Sequence, residues 1–137
     1  LDSTRLLAAL DDENAATGRV CDVLVEVNLA GDPGRTGVGE ADVAALLEDA
    51  GRRRHVRVLG LMGMAAQPDG DPAAARRQFA RLRELRDVLA ARLPTPTGLH
   101  ELSMGMSGDL VEAILEGATI VRIGSALWEG IPAVSDH

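Results

Sequence analysis

Lysine is missing altogether: all 14 basic residues in this 137-residue chain are arginine. Any chemistry that needs an ε-amino group is therefore excluded within the chain. There is no tyrosine either, and only one phenylalanine and one tryptophan, so no phenol is on hand for proton transfer. A single cysteine, Cys21, cannot form an internal disulfide and fits a reducing compartment. Opening an apolar run, it reads as a buried core thiol rather than a nucleophile. No stretch approaches the ~18–20 apolar residues that span a bilayer. The first residues show no basic region followed by an apolar one, so no signal peptide is expected. Together these point to a cytoplasmic protein.

Positive charge is also scarce. The formal net charge is −7, which argues against a nucleic-acid backbone or an anionic membrane as the main partner. Arg52, Arg53, Arg54 and Arg57 cluster, but their setting suggests a solvated helix end. His55, His100 and His137 share no metal-ligand spacing with one another or with carboxylates, so no metal site is expected. There is no phosphate-binding Walker loop, no Gly-x-Gly-x-x-Gly after the first strand, and no Gly-x-Ser-x-Gly elbow.

Alternating element types fill the chain. Ser3–Ala16 places Leu6, Leu7 and Leu10 on one helical face, with Ser3 as N-cap and Gly18 as terminator. Cys21–Leu29 (CDVLVEVNL) reads as a buried strand, followed by a Gly/Pro loop over Gly31–Gly39. Glu40–Ala50 gives a second helix and Val56–Met64 (VRVLGLMGM) a second strand. Gln67–Asp71 is turn chemistry, and Pro72 stands at the first position of a long helix that Pro94 and Pro96 end. Leu99–Met104 is a third strand, Gly108–Glu116 a helix, and Thr119–Ile123 a fourth strand. Short loops between alternating strands and helices predict a parallel α/β sheet with right-handed crossovers. Four strands suit an open sheet or half of an eight-stranded barrel. Because the chain begins at Leu1 inside a predicted helix, it reads as a piece of something longer.

In parallel α/β folds, ligands bind at the C-terminal ends of strands. Asn28 stands at the first such end and Met62 and Met64 at the second. Ser103–Gly108 forms the third and Arg122–Ser125 the fourth. Ser107 with Gly108, and Gly124 with Ser125, each combine a hydroxyl with strand-to-helix amides able to take an anion. Each serine could equally be an ordinary helix cap. Arg122 interrupts an apolar strand and needs an acceptor: either a structural ion pair with Glu101 or Glu26, or an anionic or aromatic ligand. The Met62/Met64 pair is more often core filler than a cofactor wall.

The segments VLVEVNL, GLMGM, LSMGMSGDLVEAI and VRIGSALWEG, with the GDPGRTG loop and the helix around Gln78–Phe79, resemble the pyridoxal-phosphate homeostasis protein family. The resemblance runs from about Asp2 to Gly130. It implies a (β/α)8 TIM barrel similar to the N-terminal domain of alanine racemase, here its C-terminal half over residues 1–130 with a tail over 131–137. It also implies a non-catalytic protein that binds pyridoxal 5'-phosphate (PLP) and keeps it available yet contained. Carried onto this sequence, Ser107 and the neighbouring amide of Met106 would hold the phosphate from one side, and Gly124 and Ser125 from the other. Arg122 would face the pyridine nitrogen and Met62 would line the ring. The family's PLP-bearing lysine lies on the first barrel strand and has no counterpart here, so binding by this chain would be non-covalent. An exposed edge should remain where a preceding strand pairs, open to the missing N-terminal half or to self-association. An alanine-racemase-like enzyme, another phosphate-binding barrel enzyme, and a fragment without ligand are the alternatives.

Overall fold

A computed structural model describes residues 1–66, 71–93 and 98–130. Helix α1 spans Thr4–Thr17, where the Ser3 hydroxyl accepts from the Leu6 N–H at 3.2 Å and Gly18 closes the helix in the left-handed region. Strand β1, Cys21–Val27, leads through a loop and a 3-10 turn at Glu40–Asp42 into α2, Val43–Ala50. Strand β2 is Val56–Gly63. Helix α3, Pro72–Arg92, starts as its sequence predicts: Pro72 sits in the first turn and the Asp71 carboxylate accepts from the Ala73 N–H at 2.9 Å. Strand β3 is Glu101–Ser103, helix α4 Leu110–Leu115, and a last 3-10 turn covers Ser125–Leu127.

The strands form one parallel sheet in the order β1-β2-β3. Val25, Val27, Leu61 and Leu102 are buried under helices carrying Leu7, Val43, Leu46, Phe79 and Leu82. Gly60 fixes the β2–β3 approach, since a Cβ there would lie 1.9 Å from the Glu101 carbonyl oxygen.

The fourth strand is not formed as expected. Thr119–Ile123 runs alongside β3, yet only Ser103 and Ile120 make a parallel bridge. The Leu102 carbonyl accepts from two consecutive amides, Thr119 at 2.9 Å and Ile120 at 3.1 Å, while the Thr119 hydroxyl takes the Leu102 N–H at 2.8 Å. A parallel ladder needs evenly spaced bonds from alternate residues; the Thr119 side chain replaces a main-chain acceptor at one end, and at the other the Arg122 N–H slips one residue, to the Gly105 carbonyl at 3.0 Å. The described sheet therefore has three strands.

Other expectations shift in detail. The helix predicted over Gly108–Glu116 begins two residues later, after a turn at 106–109. Cys21 is half-buried rather than buried. Arg57 lies on β2, not at a helix end, and pairs with Asp22 through two bonds of 2.6 and 2.7 Å. The outer edge of β1 is partly occupied. The Leu1 ammonium donates to the Leu24 carbonyl at 2.8 Å and its carbonyl accepts from Glu26 N–H at 2.9 Å, while Val38 bonds both Glu26 and Asn28. The Gln67–Gly70 turn, Pro94, Pro96 and the 131–137 tail lie outside the described residues.

Candidate functional site

Beyond the C-terminal ends of β3 and of the Thr119–Ile123 segment lies an open cleft of about 560 Å³, lined by Met106, Ser107, Gly108, Arg122, Ile123, Gly124 and Ser125. Five of the six residues singled out from sequence converge here. Met62 does not line the cleft; it is half-buried on β2, paired in register with Glu26 on one side and Ser103 on the other.

The floor is made by hydrogen bonds between the two loops. The Ser107 Oγ accepts from the Gly124 N–H at 3.3 Å and from the Ala126 N–H at 3.2 Å. Two main-chain donors thus converge on one oxygen, the arrangement that an anionic oxygen also satisfies. Among the described residues, Arg122 is held by neutral oxygens. Its Nη1 donates to the Ser103 hydroxyl at 2.6 Å and the Ser103 carbonyl at 3.2 Å, and its Nη2 to the Gly63 carbonyl at 3.3 Å. The structural ion pair considered for it does not form; the two carboxylates bond threonine hydroxyls instead. Glu101 accepts from Thr119 Oγ1 at 2.5 Å and Glu26 from Thr36 Oγ1 at 2.6 Å. Arg122 also lines the cleft, and among the described residues no carboxylate pairs with its guanidinium.

Sequence reasoning missed three residues. Ser103 is buried beneath Arg122 and supplies two of its acceptors. Asp109 is buried and its carboxylate takes the Met106 N–H at 2.7 Å, closing the 106–109 turn that presents Ser107. The amide of Met106 is therefore spoken for. Ala126 supplies the second amide on Ser107. The Asp three residues after Met106 is a turn signal that could have revealed the second of these. Gly105 serves the fold rather than a ligand: it is buried at φ +92, and a Cβ would fall 2.4 Å from that of Ala113. Gly124 has open space around it.

A second cleft of about 350 Å³ shares Met106 and is walled by Asn28, Arg35, Thr36 and Met64, among others. Among the described residues no group of three or more His, Cys, Asp or Glu could hold a metal ion. No described helix is long and apolar enough to cross a membrane.

A parallel sheet whose strands are joined by helices, with a cleft beyond its C-terminal strand ends, defines the class of α/β folds whose ligands sit at strand tips. The family described as alanine racemase, N-terminal domain, matches residues 1–132. The chain belongs to that family.

Among curated relatives, pyridoxal phosphate homeostasis proteins of Vibrio alginolyticus and Pseudomonas aeruginosa are 35% and 38% identical over 128 residues. Each alignment covers 93% of this chain but only 53% of the relative, so the chain spans about half their length. An unknown protein from Bifidobacterium adolescentis superimposes with a TM-score of 0.85 at 37% identity, over 93% of this chain and 50% of the other. PipY of Synechococcus elongatus PCC7942 with PLP bound gives 0.81 at 31% identity, over 93% and 57%. Alanine racemase of Clostridium difficile 630, at 13% identity and a TM-score of 0.76, is similar in fold.

Proposed function

We propose that this chain is the phosphate-holding half of a PLP-binding homeostasis protein, acting as a carrier rather than a catalyst, with residues 1–130 forming the C-terminal half of a (β/α)8 barrel. The convergence of the Gly124 and Ala126 amides on the Ser107 oxygen carries this reading. A phosphate oxygen can take those two donors, with the Ser107 and Ser125 hydroxyls as further donors. Arg122 would face the pyridine nitrogen. A fixed guanidinium there disfavours protonation of that nitrogen and leaves the ring a poor electron sink. The relatives' names and the PLP-bound PipY point the same way.

No lysine is present, so attachment is non-covalent within this chain, and any complementary N-terminal half would supply one. Among the described residues, those lining the cleft offer an arginine, two hydroxyls and main-chain amides, which suit holding an anionic ring more than proton transfer. A cytoplasmic location fits a carrier of a soluble cofactor.

The test is an amide NMR titration of the chain with PLP and with inorganic phosphate. Both should shift Gly124 and Ala126 and leave the β1 amides of Val23–Val27 unchanged. After borohydride, PLP should leave no reduced adduct on a side chain. Unmoved Gly124 and Ala126 resonances at millimolar PLP would refute the assignment.

A further inference from the structure

Arg122 is anchored at both ends of its side chain. Its backbone N–H donates to the Gly105 carbonyl at 3.0 Å. Its guanidinium meets three oxygens at two strand ends: the Ser103 hydroxyl at 2.6 Å, the Ser103 carbonyl at 3.2 Å and the Gly63 carbonyl at 3.3 Å. The two carbonyls are backbone groups that any residue at those positions would offer. The hydroxyl depends on the residue being serine, and its bond is the shortest of the three. Ser103 is 3% exposed, so solvent competes little for this bond. Its backbone is set by pairing with Met62 on β2 and by the bridge to Ile120. A hydroxyl accepts without carrying charge. An aspartate here would also hold the guanidinium, but it would cancel the charge that the cleft presents. An alanine would leave the long, rotamer-rich side chain to the two weaker contacts, and a ligand would then have to order it.

We infer that Ser103 is a positioning residue: its hydroxyl holds the Arg122 guanidinium where it meets the ring nitrogen of a bound PLP, and so governs whether that nitrogen carries a proton. For the ligand this rests on the PLP reading; the hold on Arg122 does not. The cleft is lined by Arg122 but not by Ser103, so Ser103 acts through Arg122. A guanidinium N–H aimed at the ring nitrogen donates to its lone pair, which must then be free of a proton. Loosening the guanidinium lets the nitrogen protonate. The phosphate donors are affected less, because the Gly124 and Ala126 amides bond Ser107 and not Ser103.

The experiment compares wild type with Ser103→Ala, with Ser103→Cys, which keeps the shape but accepts poorly, and with Ser103→Thr, which keeps the hydroxyl. Without ligand, hydrogen exchange of the Arg122 guanidinium, assigned by its loss in Arg122→Gln, should quicken roughly fivefold or more in the Ala and Cys variants and match wild type in Thr. With PLP labelled by 15N in the ring, the nitrogen shift extrapolated to saturation at pH 7 should report a mostly unprotonated ring on wild type and Thr. The protonated fraction should be roughly threefold or more higher on Ala and Cys. Inorganic phosphate should shift the Gly124 and Ala126 amides equally in all four chains. Should the Thr variant fail to fold, Cys against wild type carries the comparison. Equal guanidinium exchange in every chain, or an unchanged protonated fraction in Ala and Cys, would overturn the proposal. So would a ring effect that comes with loss of the phosphate response, since Ser103 would then only support the fold. If PLP leaves Gly124 and Ala126 unmoved in wild type while guanidinium exchange follows the hydroxyl, the ligand reading falls and takes the ring-nitrogen role with it, whereas the hold of Ser103 on Arg122 stands.

Discussion

Two glycines near the cleft differ in what they do, and the difference is measurable. Gly105 adopts a positive φ in a buried turn, and a methyl group there meets the Ala113 Cβ at 2.4 Å. Gly105→Ala should cost about 2–4 kcal/mol by adding left-handed strain to overpacking. Gly124 has φ −120 and nothing within 4 Å of a built Cβ, so Gly124→Ala should leave the urea midpoint within experimental error. Denaturant unfolding of the two variants side by side checks both. At the surface, the two bonds from Arg57 hold the Asp22 carboxyl below its ordinary range. A depressed folded-state pKa contributes stability above the unfolded value, near 3.9, and loses it as pH falls through the lower folded value. The melting-temperature difference between wild type and Asp22→Asn should therefore be constant from pH 5 to 8 and shrink toward zero on acidification below about pH 4. The pair lies at the surface, so the difference should be small throughout.

Helix α3 holds α4 through charge as well as packing. The Glu116 side chain is 9% exposed and receives Arg76 at 2.7 Å and Arg83 at 3.3 Å, whereas the arginines are 55% and 39% exposed. Burial is thus one-sided. Truncating Glu116 to alanine leaves two guanidiniums that can turn to water, at a cost of about 1–2 kcal/mol. Removing both arginines strands a buried carboxylate and should cost more, about 3 kcal/mol or above. The order of unfolding free energies, with the double arginine variant below Glu116→Ala, tests the asymmetry. Legibility in the sequence was uneven at this scale. Helices with local caps, such as α1 with Ser3 and α3 with Asp71 and Pro72, could be read nearly to the residue, because the signals lie within a turn of the boundary. The fourth strand could not. Its apolar residues fit a strand, but whether they join a ladder depends on the Thr119 hydroxyl meeting the Leu102 amide, a contact across 17 residues. Ser107, Arg122, Gly124 and Ser125 were legible because a polar or flexible residue at an apolar strand end stands out. Ser103 was not, since a serine under a guanidinium looks in sequence like any other strand residue.

Across the whole molecule, pairing is concentrated toward one side. β1 and β2 share seven paired positions, whereas β2 and β3 share three and the segment after α4 a single bridge. Backbone groups near β1 and β2 are also roofed by buried side chains from α1, α2 and α3. The chain from Thr119 to Gly130 has exposed residues at most positions. Local opening costs least where buried contacts are few and hydrogen bonds face water. Hydrogen exchange should therefore show a gradient, with Val25, Val27, Leu61 and Gly63 protected longest and Ile120, Gly124 and Ala126 exchanging first. The candidate ligand donors lie at the fast end of that gradient. A phosphorylated ligand that engages them must order them, so part of its interaction energy goes into fixing this segment and its affinity for the isolated chain is lowered accordingly. Saturating PLP should slow exchange at Gly124, Ala126 and the Arg122 amide, which bonds Gly105, by more than tenfold, with little change in β1. Uniform slowing across the sheet would mean instead that ligand stabilises the whole fold, and that the cleft was already formed before the ligand arrived.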